Sequence, residues 1–335
     1  MLTYDRLEHI RLTSRPMSHR ILGHTFLWGS YDLLRRVEIT VEGIDKLPAH
    51  PVMFAMNHTD RFNYWPFQFW LYHHRNRFTA TWVKGKYYES PMVAKFMEAT
   101  NNIPTVSKGY VLSKDFHVTI GRKPTDAEYE ALRPLLDDAL YGQEGVVSLS
   151  RPDAVPAEFF ATARSILGEP YDPASDTWAA AAARAYSGLM KRFVDLNRQA
   201  LDAGCDIIVF PEGTRSVTVR HGHIGLAQMA LSLGLDVVPV GCSGCDRIYP
   251  GSSPWPRPGA VTYRVGDPIP HARLRELAPV DDFTPFNPAD ERRLRQPFTH
   301  LVDHVMDRIN ELVDERHRRR PEHERDAQPV ADRYL

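Results

Sequence analysis

Two short stretches combine residue types that can carry out acid–base and anion chemistry. The first is "AMNHTDRFNYWP" (residues 55–66), in which an asparagine and His58 follow an apolar run as a catalytic loop follows a buried strand. The second is "FPEGTRS" (residues 210–216), where Glu212 can accept hydrogen bonds from an alcohol and Arg215 offers a planar fork for a phosphate or an oxyanion. Ligand sites of open α/β sheets lie at the carboxyl ends of strands, so both stretches predict a site. The alternative for the second stretch is a surface turn closed by an internal Glu–Arg pair.

A histidine that acts as a general base needs a group that orients its ring, and two residues near His58 are candidates. Asn63, five residues on, can accept from the ring through its amide oxygen, but it cannot stabilise an imidazolium by charge. Its NH₂ group could instead select the wrong tautomer. Asp60 lies about 200° from His58 around a regular helix, so it could partner the ring only within a turn. The simpler interpretation is that Asp60 favours the N-terminus of a helix that begins near His58.

Strand and helix patterns alternate along most of the chain. The strand patterns are "VEITVEG", "VMFAM", "FTATWVKG", "CDIIVF", "LDVVPVGC" and "AVTYRVGDPI". Helix patterns cover residues 17–36, "YWPFQFWLYHH", residues 124–142, the long run that Gly204 closes, and "GLAQMALSLG". Short buried strands separated by helices predict an α/β fold with a central mixed, largely parallel sheet covered by helices.

The patterns divide the chain into three parts. Residues 1–45 are expected to form an amphipathic helix and a lead-in strand. Residues 46–275 form the sheet domain, with a large helical insertion at about 110–200. Residues 276–335 form a helix, apolar on one face over 298–313, and then a tail that we expect to be solvated and disordered from its basic run "RHRRR" onward.

Composition limits the class of protein. The 335 residues are 43% hydrophobic and 25% charged, as in globular chains, and a net charge of −1 gives no overall field to attract nucleic acid. No run approaches the about 18 apolar residues of a spanning helix, and the N-terminus lacks a signal-peptide core. Three cysteines cannot build a disulfide framework. We therefore expect a cytoplasmic protein, at most peripheral on the inner face of the membrane, without a metal or cofactor.

The two chemical stretches together resemble the glycerolipid acyltransferase family, which includes the lysophosphatidic acid acyltransferases. That family has an Asn-His-x-x-x-x-Asp block after a strand and a Phe-Pro-Glu-Gly-Thr-Arg-Ser block downstream. Here "NHTDRFN" matches the first block except that Asn63 replaces the aspartate, and "FPEGTRS" matches the second in full. Two weaker blocks, "NNIPTVSKG" and "VVPVGCSG", resemble the family's Ile-Pro segment and its final Val-Pro strand.

The resemblance implies that an acyl thioester, on coenzyme A or acyl carrier protein, is attacked by an acceptor hydroxyl or amine. His58 would be the general base, supported by Asn63 or Asp60. Glu212 would orient the acceptor, and Arg215 with nearby backbone amides would stabilise the anionic intermediate or a phosphate. The implied substrate-binding residues are Glu212, Gly213, Thr214, Arg215, Ser107, Lys108 and His223.

Three positions depart from the family pattern. Asn63 replaces the family's aspartate. Because the change Asn63→Asp would restore the family's pair, we expect it to retain or raise activity. Ser107, followed by Lys108, stands where the family usually has an arginine that holds the acceptor phosphate, and His223 stands where it often has a lysine. A site with fewer cations holds phosphate less well, unless Lys108 and Arg220 compensate. The departures point to an acceptor other than lysophosphatidate.

The sequence therefore predicts an acyltransferase of lipid metabolism that acts on a lysophospholipid or another amphipathic acceptor. Two alternatives remain: a catalytically impaired acyl- or lipid-binding pseudoenzyme of the same fold, and a specialised acyltransferase of natural-product or unusual-lipid biosynthesis. The intact His58, Glu212 and Arg215 favour an enzyme. A membrane surface is a further candidate partner, because the helix at 17–36 could insert Phe26, Leu27 and Trp28 instead of packing on the core.

Overall fold

A seven-stranded sheet forms the centre of the computed structural model, which describes residues 2–33, 37–142 and 152–320. The strand order across the sheet is β1-β9-β8-β2-β7-β3-β4. A separate hairpin is formed by β5 and β6. The strands are β1 (Val37–Glu42), β2 (Met53–Met56), β3 (Thr79–Lys84), β4 (Asn102–Thr105), β5 (Arg164–Ile166), β6 (Glu169–Tyr171), β7 (Asp206–Val209), β8 (Val237–Ser243) and β9 (Gly259–Val265).

Five neighbouring strands of the sheet, β8, β2, β7, β3 and β4, run parallel. Strand β9 pairs antiparallel with β8 and parallel with β1. The sheet is therefore mixed and largely parallel, which confirms the predicted fold class. Because β2, β3 and β7 end at the same edge, they bring His58, Lys84 and Phe210 to one region of the surface.

Helices cover the sheet and bury two separate apolar cores. Residues of β2 alternate between them, because successive side chains of a strand point to opposite faces: Met53 and Ala55 join one core, and Phe54 and Met56 the other. The helices are α1 (Tyr4–His9), α2 (Met17–Leu22), α3 (Trp65–Arg75), α4 (Pro91–Ala99), α5 (Lys108–Ile120), α6 (Asp126–Tyr141), α7 (Ala157–Ala161), α8 (Trp178–Asp202), α9 (Gly225–Leu233), α10 (Cys245–Ile248), α11 (His271–Leu277), α12 (Pro288–Arg293) and α13 (Arg295–Leu312).

The predicted helix at 17–36 is present in part. After α2 the chain continues as two π-helical turns, Gly23–Leu27 and Gly29–Leu33, and residues 34–36 lie outside the described residues. Among the described residues, no helix is both long and apolar enough to cross a bilayer.

The predicted helical insertion contains α5, α6, α7, the hairpin and α8. Helix α8 is part of the core and not an addition to it. Its Phe193 packs edge-on against Trp82 of β3, and its Asn197 accepts a hydrogen bond of 2.7 Å from the Trp82 indole. Gly204 follows α8 with φ of 75°, as expected for a glycine that ends a helix.

Two predicted boundaries are wrong. The helix expected to begin near His58 begins only at Trp65, so the segment from His58 to Tyr64 is a loop. The basic run at 316–320 is not a solvated tail: Glu315–His317 forms a 3₁₀ turn and the His317 side chain is fully buried. Residues 321–335 of the predicted tail lie outside the described residues.

Candidate active site

The two predicted chemical stretches meet at the carboxyl edge of the sheet. The backbone N–H of His58 donates to Glu212 Oε2 over 2.8 Å, although 154 residues separate them. The His58 carbonyl accepts from the N–H of Ser216, also over 2.8 Å. The His58 ring stacks on Phe210, with ring centroids 4.2 Å apart and planes 20° apart. The half-buried histidine is therefore held by backbone and ring contacts to the second stretch.

Asn63 is fully buried and its amide oxygen lies 3.3 Å from His58 Nδ1. Its Nδ2 donates to the carbonyl of Asn57 over 2.8 Å. Because a carbonyl can only accept, it fixes the amide with the NH₂ group away from His58. The Asn63 oxygen then requires a proton on Nδ1, which leaves Nε2 of the neutral ring as an acceptor. The contact predicted from the five-residue spacing is present, and it selects the tautomer that a general base needs.

Burial lowers the pKa of His58 to about 3, and the charges of Arg215 and Lys84 act in the same direction. The hydrogen bond to Asn63 opposes these effects. The ring is consequently neutral near neutral pH, which is the protonation state of a base. The same environment makes the ring a weak base, because burial disfavours the imidazolium and Asn63, the partner of Nδ1, carries no charge that could stabilise it.

Asp60 does not contact His58. Its Oδ1 accepts from the N–H of Phe62 over 2.8 Å and its Oδ2 accepts from the Thr59 hydroxyl over 2.9 Å. Burial raises the pKa of this carboxyl to about 6. Both earlier interpretations of Asp60, as a partner of His58 or as a residue at a helix N-terminus, are therefore wrong. It closes a turn within the loop.

Glu212 is 4% exposed, and both of its carboxylate oxygens accept from backbone amides. Oε2 accepts from His58 and Oε1 accepts from Arg220, each over 2.8 Å. Burial raises its pKa to about 7, against the effect of these two hydrogen bonds. The carboxylate thus joins the two stretches and faces inward. The expectation that Glu212 projects toward an acceptor does not match this geometry.

Glu212 should therefore control the acid side of the pH–activity profile. Below about pH 7 a proton on one oxygen weakens one of the two amide contacts, whereas His58 stays neutral to about pH 3. Glu212→Gln has only one acceptor oxygen, so it should lose one contact at every pH. We expect kcat/KM to fall about tenfold at pH 8, consistent with a loss of about 1.5 kcal/mol. We also expect the decline near pH 7 to disappear.

The measurement is kcat/KM from about pH 5 to pH 9 for wild type and Glu212→Gln. The matched control is Glu98→Gln, because Glu98 pairs with Arg6 away from the loop. An unchanged decline near pH 7 in Glu212→Gln would assign that decline to another group.

Basic side chains surround the site more densely than the motifs indicated. Arg215 is exposed, and it acts together with Lys84, at the end of β3, on the pKa of His58. Burial lowers the pKa of Lys86, and the charges of Arg215 and Arg61 contribute. Sequence analysis missed Lys84, Lys86 and Arg61. The position of Lys84 at the carboxyl end of a predicted strand was the available signal.

The remaining predicted binding residues have mainly local contacts. Ser107 caps α5 by accepting from the N–H of Tyr110, and Lys108 forms a 2.5 Å ion pair with Asp137 of α6. Arg220 donates through Nε to the Ser216 hydroxyl over 2.9 Å. Lys108 and Arg220 are thus both engaged in contacts within the chain.

Gly213 and His223 lie side by side within the second stretch. Gly213 has φ of 64°, and a Cβ there would be 2.8 Å from Cδ2 of the His223 ring. Burial lowers the pKa of His223, and Lys84 adds to the effect. Thr214, between Gly213 and Arg215, is half-buried. The turn therefore requires glycine for both its backbone conformation and the close approach of His223.

Asn57 is a further residue that holds the loop. Its side-chain amide forms two hydrogen bonds with the backbone of Cys242 in β8. Oδ1 accepts from the Cys242 N–H over 2.7 Å, and Nδ2 donates to the Cys242 carbonyl over 3.0 Å. Cys242 and Cys245 are buried with free thiols. Asn57 therefore fixes the start of the loop to the sheet, which in turn places the carbonyl that orients Asn63.

Comparisons with known proteins agree with the motifs. The family model described as Acyltransferase matches residues 177–243, a region that includes α8 and the whole "FPEGTRS" stretch. The matched region begins at residue 177 and therefore includes α8. The sequence prediction had assigned residues up to about 200, and so most of α8, to the insertion. No curated protein matches the sequence.

One of the solved structures that match is the crystal structure of the 1-acyl-sn-glycerophosphate (LPA) acyltransferase PlsC from Thermotoga maritima. It is 14% identical, and the match covers 87% of this chain and 93% of that chain with a TM-score of 0.39.

Proposed function

We propose that this chain moves a fatty acyl group from a thioester to a lipid-like acceptor, because residues 177–243 match the Acyltransferase family model and the two motifs resemble those of the glycerolipid acyltransferases. The donor is an acyl group on coenzyme A or acyl carrier protein. The acceptor is a hydroxyl or amine of a lysophospholipid or another amphipathic molecule. The observation that carries the proposal is the contact between Asn63 and His58, because it leaves Nε2 of a neutral histidine free to accept a proton.

In the proposed reaction, His58 Nε2 takes the proton of the acceptor hydroxyl as its oxygen attacks the thioester carbonyl. The tetrahedral intermediate then breaks its carbon–sulfur bond, and the thiolate receives the proton from the imidazolium. Asn63 holds the ring by accepting from Nδ1 but supplies no charge. A thioester is more reactive than an amide or an oxygen ester, so a weakly basic histidine is sufficient.

The basic side chains are proposed to bind the anionic part of a substrate. Arg215 is exposed beside His58, and Lys84, Lys86 and Arg61 lie within electrostatic range of one another or of the site. An arginine fork can bind a phosphate through two parallel hydrogen bonds. These cations support an anionic substrate, although the family positions at Ser107 and His223 lack theirs.

Association with a membrane surface is part of the proposal. Exposed apolar side chains near the N-terminus include Met17 (63% exposed), Ile21 (58%) and Leu33 (62%), whereas Leu27 is buried in the core. Trp255, 64% exposed, packs against Phe26 at the same surface. Co-sedimentation with anionic phospholipid vesicles should fall when Ile21 is replaced by glutamate, and equal binding of the two proteins would contradict this role.

Mass spectrometry of reaction products tests the proposed transfer. The wild-type protein is incubated with acyl-CoA or acyl carrier protein thioesters and with lysophosphatidate, other lysophospholipids and amphipathic amines. We expect an acylated acceptor that depends on His58. If no acceptor is acylated while the protein still binds acyl thioesters, the pseudoenzyme alternative is supported, which Asn63 in place of aspartate would then explain.

A further inference from the structure

The end of the chain forms a strap, defined here as residues 314–320, that crosses the carboxyl edge of the sheet. Helix α13 comes so close to β8 that a Cβ at Gly241 would be 2.6 Å from the backbone of Leu312. The N–H of Asp314 then donates to the Ser243 hydroxyl at the end of β8 over 3.0 Å. The strap is therefore placed beside the strand ends that carry the proposed site.

His317 is the buried centre of the strap, with no exposed surface. Its Nδ1 lies 2.6 Å from the carbonyl oxygen of Val217, and its own carbonyl accepts from the N–H of Val219 over 2.8 Å. The N–H of Gly244 points to its Nε2 at 3.4 Å. Because the Val217 carbonyl can only accept, Nδ1 carries a proton. On the other side of the ring, Nε2 also lies 3.6 Å from Asp246 Oδ1. Both the ring and the backbone of His317 thus bind the segment that follows "FPEGTRS".

Val217 and Val219 lie within residues 216–220, and the proposed active site binds both ends of this segment. The N–H of Ser216 donates to the His58 carbonyl, and the N–H of Arg220 donates to Glu212, each over 2.8 Å. The two residues that His317 binds, Val217 and Val219, therefore lie in the sequence between the two residues whose contacts fix the His58 loop. Movement of this segment would disturb both contacts.

Ion pairs hold the strap itself. Arg316 Nη2 lies 2.6 Å from Asp246 Oδ2, and Arg319 Nη1 lies 3.0 Å from Asp307 Oδ1. The backbone N–H of Arg319 also donates to Asn310 of α13 over 2.7 Å. Arg316 and Arg319 of the basic run are thus held by ion pairs within the chain, which supports a structural role for the strap.

We propose that His317 is a positioning residue that keeps residues 216–220 in place, and through them the His58 carbonyl and the Glu212 carboxylate. The catalytic part of this inference rests on the proposed acyl transfer. The positional part does not, because it concerns the order of a segment in the unliganded protein.

Hydrogen–deuterium exchange of the full-length protein tests the positional part. We expect the amide of Val219 and peptides spanning 212–222 to exchange about tenfold faster in His317→Ala than in wild type, while α8 and β2 stay unchanged. His317→Asn keeps an N–H near the Val217 carbonyl and should restore most of the protection. His300→Ala is the matched control, because His300 also bonds a backbone carbonyl, that of Leu277, but at a distance from this segment.

Kinetics with the acyl donor and acceptor then test the catalytic part. We expect kcat to fall about tenfold in His317→Ala with little change in KM, since substrate contacts remain while the base is less well placed. His317→Asn should recover most of the lost rate.

Unchanged exchange of residues 212–222 in His317→Ala, or faster exchange throughout the protein, would overturn the proposal. If alanine prevents folding, His317→Asn is compared with His317→Gln, whose donor lies farther from Val217. Faster exchange in the glutamine variant supports the proposal, and equal exchange overturns it. If the wild-type protein transfers no acyl group, the exchange result still decides the role of His317, and only the proposed function fails.

Discussion

Replacing His58 by alanine should lower kcat/KM for acyl transfer by about a hundredfold or more while the fold remains intact. The ring supplies the only proposed proton acceptor at the site, and its removal leaves the thioester to attack by a protonated nucleophile. The His58 backbone contacts to Glu212 and Ser216 do not depend on the side chain, so the loop should keep its place.

The measurement is the initial rate of product formation, with circular dichroism to verify folding. His74→Ala is the matched control, because His74 is an exposed histidine that bonds the carbonyl of Trp70 at the end of α3. A rate in His58→Ala within a few-fold of wild type would exclude His58 as the base.

Replacing Asn63 by aspartate should destabilise the protein as the pH rises and should not raise turnover. In the wild type Nδ2 of Asn63 donates to the Asn57 carbonyl over 2.8 Å. In Asn63→Asp a carboxylate oxygen would face that carbonyl oxygen, and neither atom could donate a hydrogen bond. An unpaired buried carbonyl alone costs about 1–3 kcal/mol. This outcome reverses the expectation, drawn from the family motif, that aspartate restores a favourable pair.

The pH dependence follows from the burial of position 63. Burial should raise the pKa of the new carboxyl above its value in the unfolded chain, so the folded state retains its proton to a higher pH. Stability present at low pH is then lost as the pH rises through the folded-state pKa.

Thermal unfolding of Asn63→Asp should resemble wild type near about pH 5 and occur several degrees lower near about pH 8. The matched control is Asn76→Asp, since Asn76 is exposed at the end of α3. A several-fold gain in kcat/KM without a pH-dependent loss of stability would show that Asn57 reorients and that the family pair is restored.

Most of the sheet could be predicted because its strands are short apolar runs between helix patterns. Strand β4 was missed, since "NIPT" contains polar residues and a proline. Among the described strands β4 lies at the edge of the sheet and pairs with β3, and an edge strand tolerates a proline. The hairpin of β5 and β6 was missed because its strands have three residues each and its turn places Leu167 at a positive φ of 54°.

The start of α3 was misplaced for a chemical reason. Asp60 has the residue type of a helix N-cap, but its oxygens accept from Thr59 and Phe62 within a turn. A local pattern cannot distinguish these two uses of an aspartate.

The spacing of the first motif predicted the contact between His58 and Asn63, but not the tautomer that it selects. That depends on the carbonyl of Asn57, and the partners of Glu212 are likewise backbone amides. Backbone groups are the same in every residue and leave no trace in a sequence. The burial of His317 could not be predicted from the sequence either. It depends on a contact with a segment about 100 residues away, and the neighbouring residues have the composition of a charged tail.

Nitrogen NMR of the ¹⁵N-labelled His58 ring, assigned by comparison with His58→Ala, tests the central claim most directly. The structure predicts a neutral ring near neutral pH with the proton on Nδ1 and a free electron pair on Nε2, because Asn63 accepts from Nδ1 and burial lowers the pKa of His58 to about 3. The nitrogen shifts should therefore stay constant from about pH 5 to pH 8. A proton on Nε2 of the neutral ring, or a titration near the ordinary histidine pKa of about 6.5, would contradict this account of the site.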